Sequence, residues 1–213
     1  KFGERWADIG KAYGLDPIVL EVEWGYSVKA EQVEAALKKN PDVKVVYTTL
    51  CESSTGALLD VKAIAEVVKK TNAILVVDAI SGLLTTPLKT DEWGIDVVVG
   101  GSQKALMTPP GLAFAAVGPR AIALNKESKL PKFYFSWQKA LKNLEKDTTP
   151  FTPAITTTFG LQAALKMIRE EGIENVWKRH DRLASAMRAG VVALGLNIYT
   201  KDVGPTLTAI CAP

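Results

Sequence analysis

Residues 73–78, Ala73-Ile74-Leu75-Val76-Val77-Asp78, and residues 96–104, Asp96-Val97-Val98-Val99-Gly100-Gly101-Ser102-Gln103-Lys104, decide the fold. A strand with one wet face alternates apolar and polar residues, whereas a near-continuous apolar run suits a strand covered on both sides. Each run ends abruptly in polar or glycine residues, the mark of a strand that leaves its sheet and enters a loop. Outward from this pair the pattern alternates. Residues 30–39 (AEQVEAALKK) are an amphipathic helix, Val43 to Leu50 a strand, Val61 to Lys70 a helix and Leu112 to Val117 a further strand. Ile18 to Val22 is expected as another short strand, and residues 4–13, closed by Gly14, as a helix with Trp6, Ile9 and Tyr13 on one face. The fold class is α/β, with a parallel or mixed sheet buried between helices.

Beyond residue 118 the texture changes. The segment through Lys146 is expected to be helical, with Trp137, Ala140, Leu141 and Leu144 at helical spacing, and a Pro-Thr-rich stretch from Thr148 to Thr158 follows. Long helices are expected from about Phe159 to Glu171 and from Glu174 to Leu194, stopped by Gly195, and then two strands at 196–200 and 206–212. The organisation expected is a large α/β domain over 1–150, an interdomain helix and linker over 151–175, and the start of a smaller α+β domain over 176–213. The chain opens Lys1-Phe2-Gly3 without methionine and stops inside an expected strand, so it reads as an internal fragment of a longer polypeptide.

The composition narrows the function. At 213 residues and 47% hydrophobic, the chain can bury a sizeable core, which excludes disorder and small disulfide scaffolds. Its 26 basic and 23 acidic residues are interspersed, so no basic block points to nucleic acid or an anionic membrane. The two cysteines, Cys51 and Cys211, lack C-x-x-C spacing and a nearby histidine, which supports neither zinc nor a disulfide framework. No apolar run approaches the ~18 residues of a membrane span. These features point to a soluble protein of a reducing compartment, with cytoplasm as the expectation.

In an open α/β sheet, ligands sit beyond the carboxyl ends of the strands. Three polar clusters fall there: Glu52-Ser53-Ser54-Thr55-Gly56, Asp78, and Gly100-Gly101-Ser102-Gln103-Lys104. A carboxylate at the end of an apolar strand needs donors or a cation to remain ionised, and a helix cap is its plain structural reading. A lysine after two glycines is, on the same plain reading, a solvated loop residue. Together the two are what an imine-forming cofactor requires, an amine to bond covalently and an anion for a protonated pyridine. His180, the one histidine, lies in a helical run and is expected on its solvated face.

These motifs carry a resemblance. Asp78-Ala79-Ile80-Ser81, Gly101-Ser102-Gln103-Lys104-Ala105-Leu106 and Pro109-Pro110-Gly111-Leu112-Ala113 resemble class V aminotransferases, pyridoxal-phosphate enzymes of fold type I. Phe2-Gly3-Glu4-Arg5, Glu52-Ser53-Ser54-Thr55-Gly56 and Thr149-Pro150-Phe151-Thr152-Pro153 are similar to the alanine/serine-glyoxylate (serine-pyruvate) branch. The likeness runs in order along essentially the whole chain.

The resemblance implies pyridoxal 5'-phosphate as cofactor, with Lys104 as the lysine that bonds to it and later moves the substrate proton. It implies Asp78 against the pyridinium, Phe2 stacked on the ring, Ser53 beside the phenolic oxygen and Gln103 near the phosphate. Thr149 and Thr152 would reach the phosphate of a partner subunit's cofactor, so a homodimer with shared sites is implied. The family's phosphate loop would lie upstream of Phe2 and its carboxylate-binding arginine downstream of Pro213. The activity implied is transamination between a small amino acid (alanine or serine) and a 2-oxo acid (glyoxylate or pyruvate). A desulfurase or lyase of the same fold, or a non-catalytic assembly fragment, are the alternatives. The desulfurase pattern has histidine before the lysine and on the ring, where this chain has Gln103 and Phe2. In structural terms Phe2 can equally be an end aromatic, and Thr149 and Thr152 turn and cap residues.

Overall fold

The computed structural model describes residues 1–212. The chain begins with α1 (Phe2–Ala12), crosses an irregular segment, and continues through α2 (Ala30–Lys39), β1 (Val45–Thr49), β2 (Cys51–Glu52), β3 (Ala57–Leu58), α3 (Val61–Val68) and β4 (Ile74–Asp78). A short α4 (Thr90–Trp93), β5 (Val97–Gly101), β6 (Ala113–Val117), α5 (Pro119–Glu127) and α6 (Trp137–Leu144) follow. The remainder is α7 (Ile155–Glu171), α8 (Ile173–Ala193), β7 (Asn197–Ile198) and β8 (Ile210–Cys211).

The main sheet has the order β1-β4-β5-β6. β1 and β5 run parallel to β4, with Thr49 and Val99 both opposite Asp78, and β6 returns antiparallel to β5. The sheet is therefore mixed and mostly parallel, as the apolar runs predict. Side chains alternate across β4 because successive Cβ atoms point to opposite faces. Leu75 and Val77 pack with Val61, Ile64, Ala65 and Val68 of α3 on one side, and Ile74 and Val76 with Val97 and Ala121 on the other. Trp6 and Trp137 cover part of that second side. β6 is largely exposed, so the expected burial on both faces holds for β4 and β5 but not for this edge strand.

Several expectations need correction. Ile18 to Val22 is not a strand: Ile18 and Val19 are about half exposed, and with no neighbouring strand to bond them an apolar run has no reason to extend as a sheet. The helical segment expected through Lys146 is two helices, because residues 128–136 leave helical geometry around Pro131 before Ser136 caps α6 through Lys139 N–H. Phe2, expected outside the first helix, begins it. The β2–β3 hairpin was not foreseen; Gly56, at φ 81°, makes its turn. His180 is half-buried, with Nδ1 2.8 Å from the Val176 carbonyl oxygen. Among the described residues no helix is long and apolar enough to cross a membrane.

The segment around residue 200 is clasped to the start of the chain. Asp202 accepts from Ser27 N–H at 2.7 Å, from Ser27 Oγ at 2.8 Å and from Lys29 Nζ at 2.6 Å, while its backbone carbonyl accepts from Leu58 N–H. Thr200 Oγ1 donates to the Gly25 carbonyl at 2.8 Å. Burial by itself would push the Asp202 carboxyl up, but the Lys29 ammonium and the Ser27 donors outweigh it and hold it below its usual value. A carboxylate depressed in the folded state adds stability above its unfolded value, ~3.9. That stability is lost as pH falls through the folded value. Asp202→Ala should therefore cost roughly 1–3 kcal/mol near neutral pH. Urea unfolding at pH 7 and at pH 3 measures it, and the gap to wild type should narrow at the acid pH; an undiminished gap would show that the charge is not what holds the clasp.

Candidate active site

The carboxyl ends of β1, β4 and β5 form one rim. Asp78 is the last residue of β4, where the strand opens into a tight loop. Its Oδ1 accepts from Ile80 N–H at 3.0 Å and its Oδ2 from the indole Nε1–H of Trp6 at 3.2 Å. The loop is held against the sheet by close contacts. A Cβ on Gly82 would lie 2.7 Å from Leu50 Cδ2, and one on Gly100 would lie 2.9 Å from Leu83 Cδ2, so neither position admits a side chain without displacing its neighbour.

Next to Asp78 the β5 strand ends at Gly101 and turns. Ser102 is fully buried and organises the turn: its Oγ donates to the Pro109 carbonyl at 2.7 Å and accepts from Leu112 N–H at 3.2 Å. Its carbonyl accepts from Thr108 Oγ1 at 2.8 Å. With both ends tied, Leu106 is buried while Gln103, Lys104 and Met107 face outward, and Met107 takes a left-handed φ of 55° as its N–H bonds the Lys104 carbonyl at 2.9 Å. Among the described residues Lys104 forms no ion pair. Its amine is thus carried by a rigid turn while remaining free to bond.

Glu52 joins a third segment to the rim. Its Oε2 accepts from the backbone N–H of Phe2 at 2.8 Å and of Gly3 at 3.3 Å, and its Oε1 from Ser54 N–H and Oγ at 3.1 and 2.7 Å. A carboxylate at a helix N-terminus satisfies donors that have no partner inside the helix and meets the positive end of its dipole. Burial would raise Glu52, yet these donors prevail and keep it below the ordinary carboxylate range. The result places Phe2, half-buried and with the Arg5 guanidinium 5.0 Å from its ring centroid, beside the turn that carries Ser53.

Of the residues singled out from the sequence, Phe2, Ser53, Asp78, Gln103 and Lys104 are on segments that meet at this rim. Among the described residues neither Thr149 nor Thr152 hydrogen-bonds to a rim residue. Both are exposed between α6 and α7, and Thr149 Oγ1 donates to the Phe151 carbonyl at 2.7 Å, a local turn contact. Three contributors were missed: Trp6, Glu52 as a helix cap, and Ser102. A buried serine between a glycine pair and a lysine was the one local signal. Burial pushes the Cys51 thiol up to about 11, against a lowering hydrogen bond from Thr206, so it is not a nucleophile at neutral pH. Among the described residues no three His, Cys, Asp or Glu side chains gather to hold a metal. Two clefts of about 470 and 520 Å³ lie elsewhere, where residues 58–62 and 85–87 meet residues 202–205.

Residues 4–212 match the family described as Aminotransferase class-V. The soluble hydrogenase small subunit of Synechococcus sp. is 42% identical over 99% of this chain and 56% of its own length. The serine-glyoxylate aminotransferase of Methylorubrum extorquens is 36% identical over all of this chain and 56% of its own. The crystal structure of a subgroup IV aspartate aminotransferase from Thermus thermophilus superposes with a TM-score of 0.90 at 27% identity, covering all of this chain and 59% of that one. The chain thus spans a little over half the length of the relatives it matches, and the fold is that of fold type I aminotransferases. A match that extends through nearly every residue, together with a rim assembled from the same separated motifs, makes this chain a member of the class V aminotransferase family.

Proposed function

We propose that the full-length protein transfers the amino group of a small amino acid, alanine or serine, to glyoxylate or pyruvate, using pyridoxal 5'-phosphate. The observation that carries this reading is the rim: a carboxylate held by one N–H on each oxygen at the end of β4, and an unpaired exposed amine on the turn after the adjacent β5. That donor set fits the cofactor, because Asp78 would face its ring nitrogen, Lys104 would bond to its carbonyl carbon, and the Phe2 ring would cover one face.

When bound, the cofactor supplies a carbonyl for covalent attachment and a protonated ring that withdraws electrons. Lys104 Nζ would hold the cofactor covalently, and the same amine, once free, would be the base that carries the proton from the substrate α-carbon to the cofactor. The Asp78 carboxylate would keep the ring nitrogen protonated. Ser53 and Gln103 would serve as neutral hydrogen-bonding groups, and Gln103, which cannot titrate, would position without exchanging protons. Thr149 and Thr152, both exposed, would reach a partner subunit's phosphate. A cytoplasmic homodimer, with a large domain to about residue 150 and a smaller one after about 175, belongs to the same proposal.

Carbon-sulfur cleavage needs an acid or a mobile thiol. His180 is bonded to its own helix and Cys51 is buried with a raised pKa, which supports transfer over desulfuration. The full-length protein incubated with alanine or serine plus glyoxylate should form glycine, and with cysteine should release no sulfide. Sulfide release without amino transfer would overturn the proposal.

A further inference from the structure

Asp78 owes its orientation to a residue 72 positions earlier. Ile80 N–H is local, a loop contact two residues on, and by itself leaves Oδ2 free to swing. The Trp6 indole closes that freedom: with one donor on each oxygen, rotation about the Cβ–Cγ bond is stopped. Each carboxylate oxygen can accept more than one hydrogen bond, so acceptor capacity remains for a further donor. The Trp6 ring is itself held, stacked on Tyr47 with centroids 5.0 Å apart and planes at 24°. Tyr47 lies on β1 opposite Val76, two residues before the pair Thr49 and Asp78. The helix that carries Trp6 is pinned by Glu52, and Phe2 lies one turn away on it, at i and i+4.

We infer that Trp6 is a positioning residue for Asp78, fixing the plane of the carboxylate that receives the cofactor's ring nitrogen, and that α1 sets this anion and the Phe2 ring as one unit. The inference rests on the proposed role of Asp78. An indole N–H on an ionised acceptor is worth more than a neutral pair. Phenylalanine at the same place keeps a ring against Tyr47 but removes the donor.

The test is a double-mutant cycle on the full-length apoprotein, with the pyridoxal-phosphate dissociation constant read from absorbance titration. Trp6→Phe should weaken binding about tenfold, the scale of a lost hydrogen bond to a charged group. In the Asp78→Asn background the same change should alter it less than about twofold, since no anion is left there for the indole to orient toward the ring nitrogen. Equal losses in both backgrounds, or none in either while Asp78→Asn alone is impaired, would overturn the positioning role and leave the role of Asp78 standing. Wild-type binding by Asp78→Asn would instead overturn both. Indole-¹⁵N spectra of the apoprotein provide a check that does not require the Trp6 variant to fold well. One indole resonance should shift in Asp78→Asn, and a spectrum without any shifted indole would contradict the contact.

Discussion

Lys104→Ala in the full-length protein should abolish covalent attachment of pyridoxal phosphate and reduce amino transfer by at least ~10⁴-fold, the upper range for a positioned acid-base group. The size follows from two losses at one atom. On the proposed roles, no covalent bond to the cofactor would form without the amine, and the adjacent Gln103 is neutral and could not take the substrate α-proton in its place. Borohydride reduction of the wild type followed by peptide mapping should find the pyridoxyl group on the peptide containing Lys104. A label on another lysine, or an alanine variant of ordinary activity, contradicts the assignment. Folding should survive, since Lys104 is exposed and the turn is held by Ser102 and Thr108 rather than by the lysine side chain.

Asp78→Asn should lower turnover by at least ~10²-fold, about 2.7 kcal/mol of activation free energy. An amide cannot neutralise a protonated ring nitrogen as an anion does, so on the proposed role of Asp78 the electron demand that acidifies the substrate α-carbon would be weakened. The substitution is nearly isosteric. It keeps an oxygen acceptor for either Ile80 N–H or Trp6 Nε1–H, though not for both at their present oxygens. Thermal unfolding of the variant should thus stay near wild type while steady-state turnover falls. Turnover close to wild type would mean that Asp78 serves only the loop that follows it.

These two residues were legible because each ends a pattern. Asp78 closes four apolar residues of β4, and Lys104 follows the glycine pair that ends β5, so strand ends could be located without coordinates. Ile18 to Val22 shows the weakness of the same rule. Apolar residues extend into a strand only where another strand supplies hydrogen bonds, and no pattern within the segment says whether one is there. Residues 128–136 show a second weakness, since apolar spacing further on masked the break at Pro131.

The amino-acid sequence by itself determined the alternation of strand and helix, the apolar character of the sheet, and the order of the motifs, because each depends on residues within a few positions of one another. The tertiary structure alone decided what holds those motifs in place. Trp6 reaches Asp78 across 72 residues, Glu52 caps α1 across 50, and Asp202 binds Ser27 across 175. A carboxylate's donors are chosen by which chain segments pack together, and periodicity and propensity carry no information about partners at such separations.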